Sequence, residues 1–373
     1  MRKIFFSVAA AIVAAPLLTA VLSSCSKSDS PDEPIGGIIP KPIGEDGILF
    51  VINEGNFQYS NSSLSLYNPT VNEAVNEIFI KANGMKLGDV AQSMTIADGK
   101  GWIIVNNSNV VFAVDPETLK EKGRITGLTS PRFFHLVNDT KAYITQQYDN
   151  RIAIVNPKTY SITGYIDVPG MEVSSGSTEQ MVSYGDYVYC NCWSYQKSII
   201  RIDPKTDKVV ASLEVGIQPK TLAVDKYGKL WTMTDGGWDG NPLGHEAPEL
   251  IKIDAKTFTI EKKFAFNLDD YCSKMTINAA GDRLYWIKND VWTMDVTATD
   301  LPTAPIVKTD GTWYYGLTVA PSSGDVYVAD AIDYKQNGRI LRYSAAGDFI
   351  GQFSVGVNPS SFCWYRPTIS IKQ

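Results

Sequence analysis

Two histidines, His135 and His245, supply all the imidazole chemistry of a 373-residue chain. Imidazole is the usual general base and metal ligand near neutral pH, so this count narrows what the chain could catalyse. His245 lies near Asp235, Asp239, Asn241 and Glu246, and these oxygen donors do not follow the spacing of an EF-hand loop. No G-x-S-x-G elbow, H-E-x-x-H pair or phosphate loop occurs. Cys190 and Cys192 stand two apart, facing one way on a strand, and without a second pair they make a poor zinc site. With Cys272 and Cys363 they read as buried thiols, the usual state of free cysteine. The residues therefore suggest no enzyme, no catalytic cofactor and no metal site.

The abundant chemistry is aromatic and amide. The chain holds 19 Tyr, 8 Trp and 14 Phe, and many fall in loops rich in Asn and Gln. Phe57, Tyr59, Gln147, Tyr148, Trp193, Tyr195, Trp238, His245, Tyr271, Trp313, Tyr314, Tyr315 and Tyr334, together with Arg132, form the candidate ligand-binding set. Tyr and Trp present flat apolar area with a polar edge and little rotamer entropy to lose. Asn and Gln add donors and acceptors without charge. Such a surface suits a large, neutral, hydrogen-bonding ligand, a sugar chain or a macrocycle, better than a small anion.

These loops must be carried by a repeating scaffold. An Asp/Asn-Pro turn or its variant recurs at Asn68, Asp115, Asn156, Asp203, Asp254 and Asp295, and in degenerate form at Ser344, spaced 47, 41, 47, 51, 41 and 49 residues apart. Four short strands per period of that size predict a β-propeller. Met94, Phe134, Met181, Leu222, Met275, Leu317 and Phe362 align within seven first strands, expected to be buried on both faces. The X-Pro steps before them, as at Gln218-Pro219 and Asn358-Pro359, predict extended backbone.

The first copy supplies only three strands, at 48–53, 63–67 and 74–80. The seventh first strand comes from the C-terminus, at 361–364. An all-β, seven-bladed propeller with four-stranded antiparallel blades follows, its ring closed by the C-terminal strand completing blade one, which removes an open sheet edge. Just before each first strand stand Gln92, Arg132, Glu179, Lys220, Ser273, Tyr315 and Ser360, read as a polar ring at the channel mouth.

The N-terminus reads as an address. Arg2 and Lys3 precede an apolar run, and Leu22-Ser23-Ser24-Cys25 resembles a lipobox. Residues 1–24 are thus expected to be a signal peptide, Cys25 the lipidated residue, 25–45 a flexible tether rich in Ser, Pro and Gly, and 46–373 the propeller. Net charge is −6, with no basic patch for nucleic acid. Membrane contact is expected through the lipid only.

The Val-Gly-x-x-Pro start, the Gly-Lys-Leu-Trp strand and the Asp-Pro-x-Thr turn resemble the YncE-like (YVTN) propeller repeat across residues 46–366. The opening Val51-Ile52-Asn53-Glu54-Gly55-Asn56-Phe57, followed by Ser63-Leu64-Ser65-Leu66-Tyr67-Asn68, looks like the DUF5074-type surface lipoproteins of the Bacteroidota, a group that includes the cobalamin-binding BtuG family. That resemblance implies a lipoprotein on the outer face of the outer membrane. It also implies cobalamin or another corrinoid as the bound ligand, delivered to a TonB-dependent transporter. A propeller enzyme acting on glycans or lactones and a protein-interaction scaffold are the alternatives.

Overall fold

A computed structural model describes residues 38–367, so Cys25, the expected signal peptide and most of the tether lie outside the described residues. Seven antiparallel sheets follow one another around an axis. In blades two to seven the first strands are Ala91–Ala97, Pro131–Asn138, Ser177–Tyr184, Pro219–Val224, Cys272–Ile277 and Tyr314–Val319. In blade one the innermost place is taken by Pro359–Tyr365, paired with Ile48–Asn53 from Ile48↔Tyr365 to Asn53↔Pro359. Each first strand touches the next, and Tyr314–Val319 touches Pro359–Tyr365, so the ring is closed. The seven-bladed architecture and its C-terminal closure are as the repeats predict.

The blades cohere because their second strands are almost wholly apolar and buried, and they pack blade against blade. Trp102 of blade two stacks on Phe134 of blade three with ring centroids 4.3 Å apart. Tyr67 of blade one stacks on Phe353 of blade seven at 3.9 Å. The repeated turns hold by side-chain capping: Asp115 Oδ1 accepts from the amides of Glu117 and Thr118, both at 3.0 Å, and Asp203 and Asp254 repeat the pattern. This is the turn chemistry that places Asp or Asn at the first position.

Four details depart from the expectation. Blade one has no strand at 74–80: a strand Glu73–Val75 is followed by a short helix, Ile78–Asn83, because Ile78, Phe79 and Ala82 turn one face to the core. Blade six has three strands, with a single Val291↔Val307 bridge where a fourth would lie. The first strands Ala91–Ala97, Pro131–Asn138 and Ser177–Tyr184 lose burial toward their ends, whereas Tyr314–Val319 is buried at every residue but Tyr315. Before the inner prolines the backbone is left-handed: Ser130, Gln218 and Asn358 have φ of 40°, 56° and 54°. Extended backbone would overshoot there, because the chain must reverse from the rim of one blade onto the inner strand of the next.

Residues 38–45, assigned by composition to the tether, lie against blade one. Ile39 is buried, Ile38 and Ile43 pack on the same apolar cluster, and Asn68 Nδ2 donates to the carbonyls of Pro40 and Pro42. Among the described residues no helix is long and apolar enough to cross a membrane.

Candidate functional site

All seven first strands begin with a register break against their neighbour. The residues left unpaired are Gln92, Arg132 with Phe133, Glu179 with Gln180, Lys220, Ser273 with Lys274, Tyr315, and Ser360. A β-bulge re-aims a side chain out of the pleat. Here it turns the polar ring toward the axis, at the face where the aromatic loops emerge. Gln92, Arg132, Glu179, Lys220, Ser273 and Tyr315 line a single open cavity of about 580 Å³.

The walls of this cavity include Phe57, Gln147, Tyr148, Trp193 and Tyr271. Phe57 and Tyr148 are well exposed, and Trp193 is half-buried. Trp193 is fixed by its indole N–H, which donates to Asp235 Oδ2 at 3.2 Å. Lys220 Nζ lies 5.7 Å from the Trp193 ring centre and 6.0 Å from that of Tyr271. Tyr315 donates its hydroxyl to Glu54 Oε2 at 2.9 Å; burial, followed by the Glu54 charge, holds its pKa well above the ordinary tyrosine value. Arg132 makes a two-pronged contact with Glu179, 2.8 Å and 3.0 Å, and a third bond to Gln92 at 2.6 Å. Blades two, three and four are thereby tied together under the cavity.

The family described as a domain of unknown function (DUF5074) matches residues 46–356. This chain belongs to that family. No curated protein matches the sequence. Among solved structures, a quinoprotein alcohol dehydrogenase-like protein from Bacteroides thetaiotaomicron VPI-5482 superposes with a TM-score of 0.66 at 15% identity, covering 86% of this chain and 78% of its own. A functionally unknown protein from Desulfotomaculum acetoxidans DSM 771 gives 0.62 at 8% identity, over 86% and 99%. Hydrazine synthase of Kuenenia stuttgartiensis gives 0.55 at 12% identity, over 73% and 88%. At such identities the likeness concerns the fold alone.

Around the central cavity, the DUF5074 domain arranges the remaining predicted residues in satellites. Trp238 and His245 line a neighbouring recess of about 340 Å³ with Tyr271 and Asp235. Tyr195 meets Trp238 edge-on at 5.7 Å. Trp313 stands 65% exposed and leans on Tyr271 at 4.9 Å, and Tyr334 meets Tyr315 edge-on at 5.5 Å. Tyr59 is exposed beyond the cavity's lining. Tyr314 borders a small recess with Tyr271 and Trp313, but its ring is buried in the blade-six and blade-seven core, its hydroxyl against that of Tyr343. One residue of strand alternation separates it from Tyr315.

Glu54, Asn106 and Lys274 belong to the cavity lining and were absent from the candidate set. Lys274 had a readable signal: the equivalent residues in the other copies, Ser93, Phe133, Gln180, Thr221, Gly316 and Ser361, are all uncharged. The four described cysteines are free. Burial pushes the thiols of Cys192, Cys272 and Cys363 up to about 12, which leaves them protonated and poor nucleophiles. Among the described residues no group of three or more His, Cys, Asp or Glu side chains is placed to hold a metal ion.

His135 lines the channel below, its Nε2 2.7 Å from Ser183 Oγ of the next blade. Burial lowers its pKa from 6.5 to about 4, against a smaller opposing bond with the Met181 backbone. The unfolded chain thus binds the proton more readily than the folded one, so stability contributed by neutral His135 is present above about pH 6.5 and lost as pH falls toward 4. His135→Thr, the residue at three equivalent positions, should remove that slope. Relative to its value at pH 7.5, the stability of the wild type should fall below that of the variant by at most about 3 kcal/mol by pH 4. Urea unfolding across that range checks this, and parallel curves for the two proteins would refute it.

Proposed function

We propose that this rim captures a large nutrient molecule, and that the nutrient is a corrinoid. The carrying observation is the convergence of exposed aromatic plates, Phe57, Tyr148, Tyr271 and Trp313, around and beside one open cavity with a polar floor. Flat apolar walls above a hydrogen-bonding base match a macrocycle fringed with amides, which would seat one face in the cavity and project the rest above the rim. The resemblance of the chain's opening to the corrinoid-capturing surface lipoproteins favours the same class. A closed ring holds its loops in place before binding, so little ordering cost opposes affinity.

In this reading Cys25 carries the lipid, the tether keeps the ring at the outer face of the outer membrane, and the ligand passes to a TonB-dependent transporter. Calorimetric titration of the mature protein with cyanocobalamin should give one-to-one binding and a higher melting temperature. Absence of both heat and protection would end the proposal. Replacing Phe57, Tyr271 and Trp313 together by Ala should weaken binding by about 100-fold or more. These side chains are well exposed, so the melting temperature should stay nearly constant. Tyr314 is left in place because its removal would damage the core.

A further inference from the structure

The floor of the central cavity carries more positive charge than a neutral ligand requires. Arg132, Lys220 and Lys274 line it, against the carboxylates of Glu54 and Glu179. Arg132 is engaged by Glu179, and Glu54 receives the Tyr315 hydroxyl. Lys220 reaches only Asp235, at 3.5 Å, whose oxygens already accept from Trp193 and Gln218. Lys274 makes no hydrogen bond or ion pair with any described residue; the ring centre of Tyr315 lies 6.0 Å from its Nζ.

Beside these lysines stand two further donors without partners. Ser273 and Thr221 border the same cavity, 6% and 3% exposed as residues, and their hydroxyl oxygens, themselves shielded from solvent, bond to no other protein group. A half-buried lysine without a partner is costly. Burial, followed among the lowering causes by the Lys220 and Arg132 charges, holds the Lys274 pKa below the usual lysine range, opposed by Glu54 and Glu179. The scaffold does not call for a cation there, since the six equivalent positions are uncharged. A lysine side chain only donates, and hydroxyls donate readily to an oxyanion. What would satisfy both ammonium groups at once is a set of negatively charged oxygens.

We propose that the cavity holds its ligand by an anionic arm, a carboxylate or a phosphate, received by the ammonium groups of Lys274 and Lys220. Because Lys220 also lies over Trp193 and Tyr271, the arm and a flat portion of the same ligand fall within one reach. The proposal rests on the cavity being a ligand site, as read above, but not on that ligand being a corrinoid.

The test uses three probes that share a ring: phenyl phosphate, benzoate and neutral benzamide, titrated into the folded protein at low salt. At least one anion should bind about tenfold or more tightly than benzamide, and should weaken as salt rises. Preference for phenyl phosphate or for benzoate assigns the arm to phosphate or carboxylate. Lys274→Met should lower the preferred anion's affinity about tenfold, while Lys274→Arg retains most of it. Lys220→Met provides a second loss should Lys274→Met fold poorly, and melting curves establish which variants are folded. Equal binding of all three probes, no binding of any, or unchanged anion affinity in folded Lys274→Met overturns the proposal. Cyanocobalamin binding is scored separately, so failure of the corrinoid reading and failure of the anionic arm give different results.

Discussion

A chain stopped after Val357 should fail to form a cooperative ring. The missing strand, Pro359–Tyr365, is the partner of Ile48–Asn53, whose six residues are all fully buried. Without it an apolar inner edge is open to water and to other chains, the situation that β proteins otherwise avoid. Phe362 and Trp364 also leave the apolar cluster shared with blade seven, Cys363 leaves the one shared with blade two, and Trp364 gives up its indole bond to Thr318 of blade seven. The loss amounts to roughly 5 kcal/mol or more, comparable with the whole stability of an ordinary domain. The site suffers with the fold, since Glu54 donates its amide to the Asn358 carbonyl at 2.9 Å and Asn358 Nδ2 donates to the Gly55 carbonyl at 2.7 Å. Thermal melting of the shortened chain should show a broadened transition or aggregation, and a peptide covering 358–367 added in trans should restore part of the transition. A shortened chain that melts within about 2 °C of the full one would show that the closure contributes little.

Glu179→Ala should be the most damaging single substitution on the cavity floor. Its carboxylate is 5% exposed and the Arg132 guanidinium 13%, so removing one partner strands the other in a poorly hydrated place. Breaking a buried pair in this way costs about 3–5 kcal/mol. The same carboxylate also receives the Ser177 hydroxyl, which would be left unpaired too. Replacing both partners, Arg132→Met with Glu179→Leu, removes the stranded charge and should recover most of the loss. Urea unfolding at pH 7 of the two single variants and the double measures the coupling. A single substitution costing under about 1 kcal/mol, or strictly additive losses in the double, would mean that water already satisfies both groups. The pair joins blades three and four, so its loss should also loosen the cavity floor and weaken any ligand seated there.

The scaffold was legible because it repeats. Six spaced Asx turns and a degenerate seventh at Ser344 give the period, and the three-strand start of the first copy forces the C-terminus to supply the missing strand. The aromatic rim was legible for a related reason: Phe57, Tyr148, Trp238 and Trp313 interrupt strands that must be buried, so they can only stand in loops. The sequence is least legible where one residue decides the direction of a side chain. Tyr314 and Tyr315 are chemically alike and adjacent, yet the break in pairing between Tyr314 and Gly316 sends one into the core and the other to the channel. The helix at Ile78–Asn83 was read as strand because its apolar residues, in so short a run, fit either period.

The sequence by itself therefore determined the class of fold, the blade count, the ring closure and the face on which the aromatic loops gather. Each of these depends on composition and period summed over many residues. Only the tertiary structure decided which side chains meet. Gln92 reaches Arg132 across 40 residues and Glu179 reaches it across 47. Lys274 and Lys220 share a cavity because two bulged strands from adjoining blades point at one axis. A bulge shifts register by a single residue and reverses every side chain beyond it, and its cost is set by contacts with the next blade rather than by the local residues. That is why the wall of the site and most of its polar ring are visible along the chain, while Glu54, Lys274 and the pairings within the floor are not.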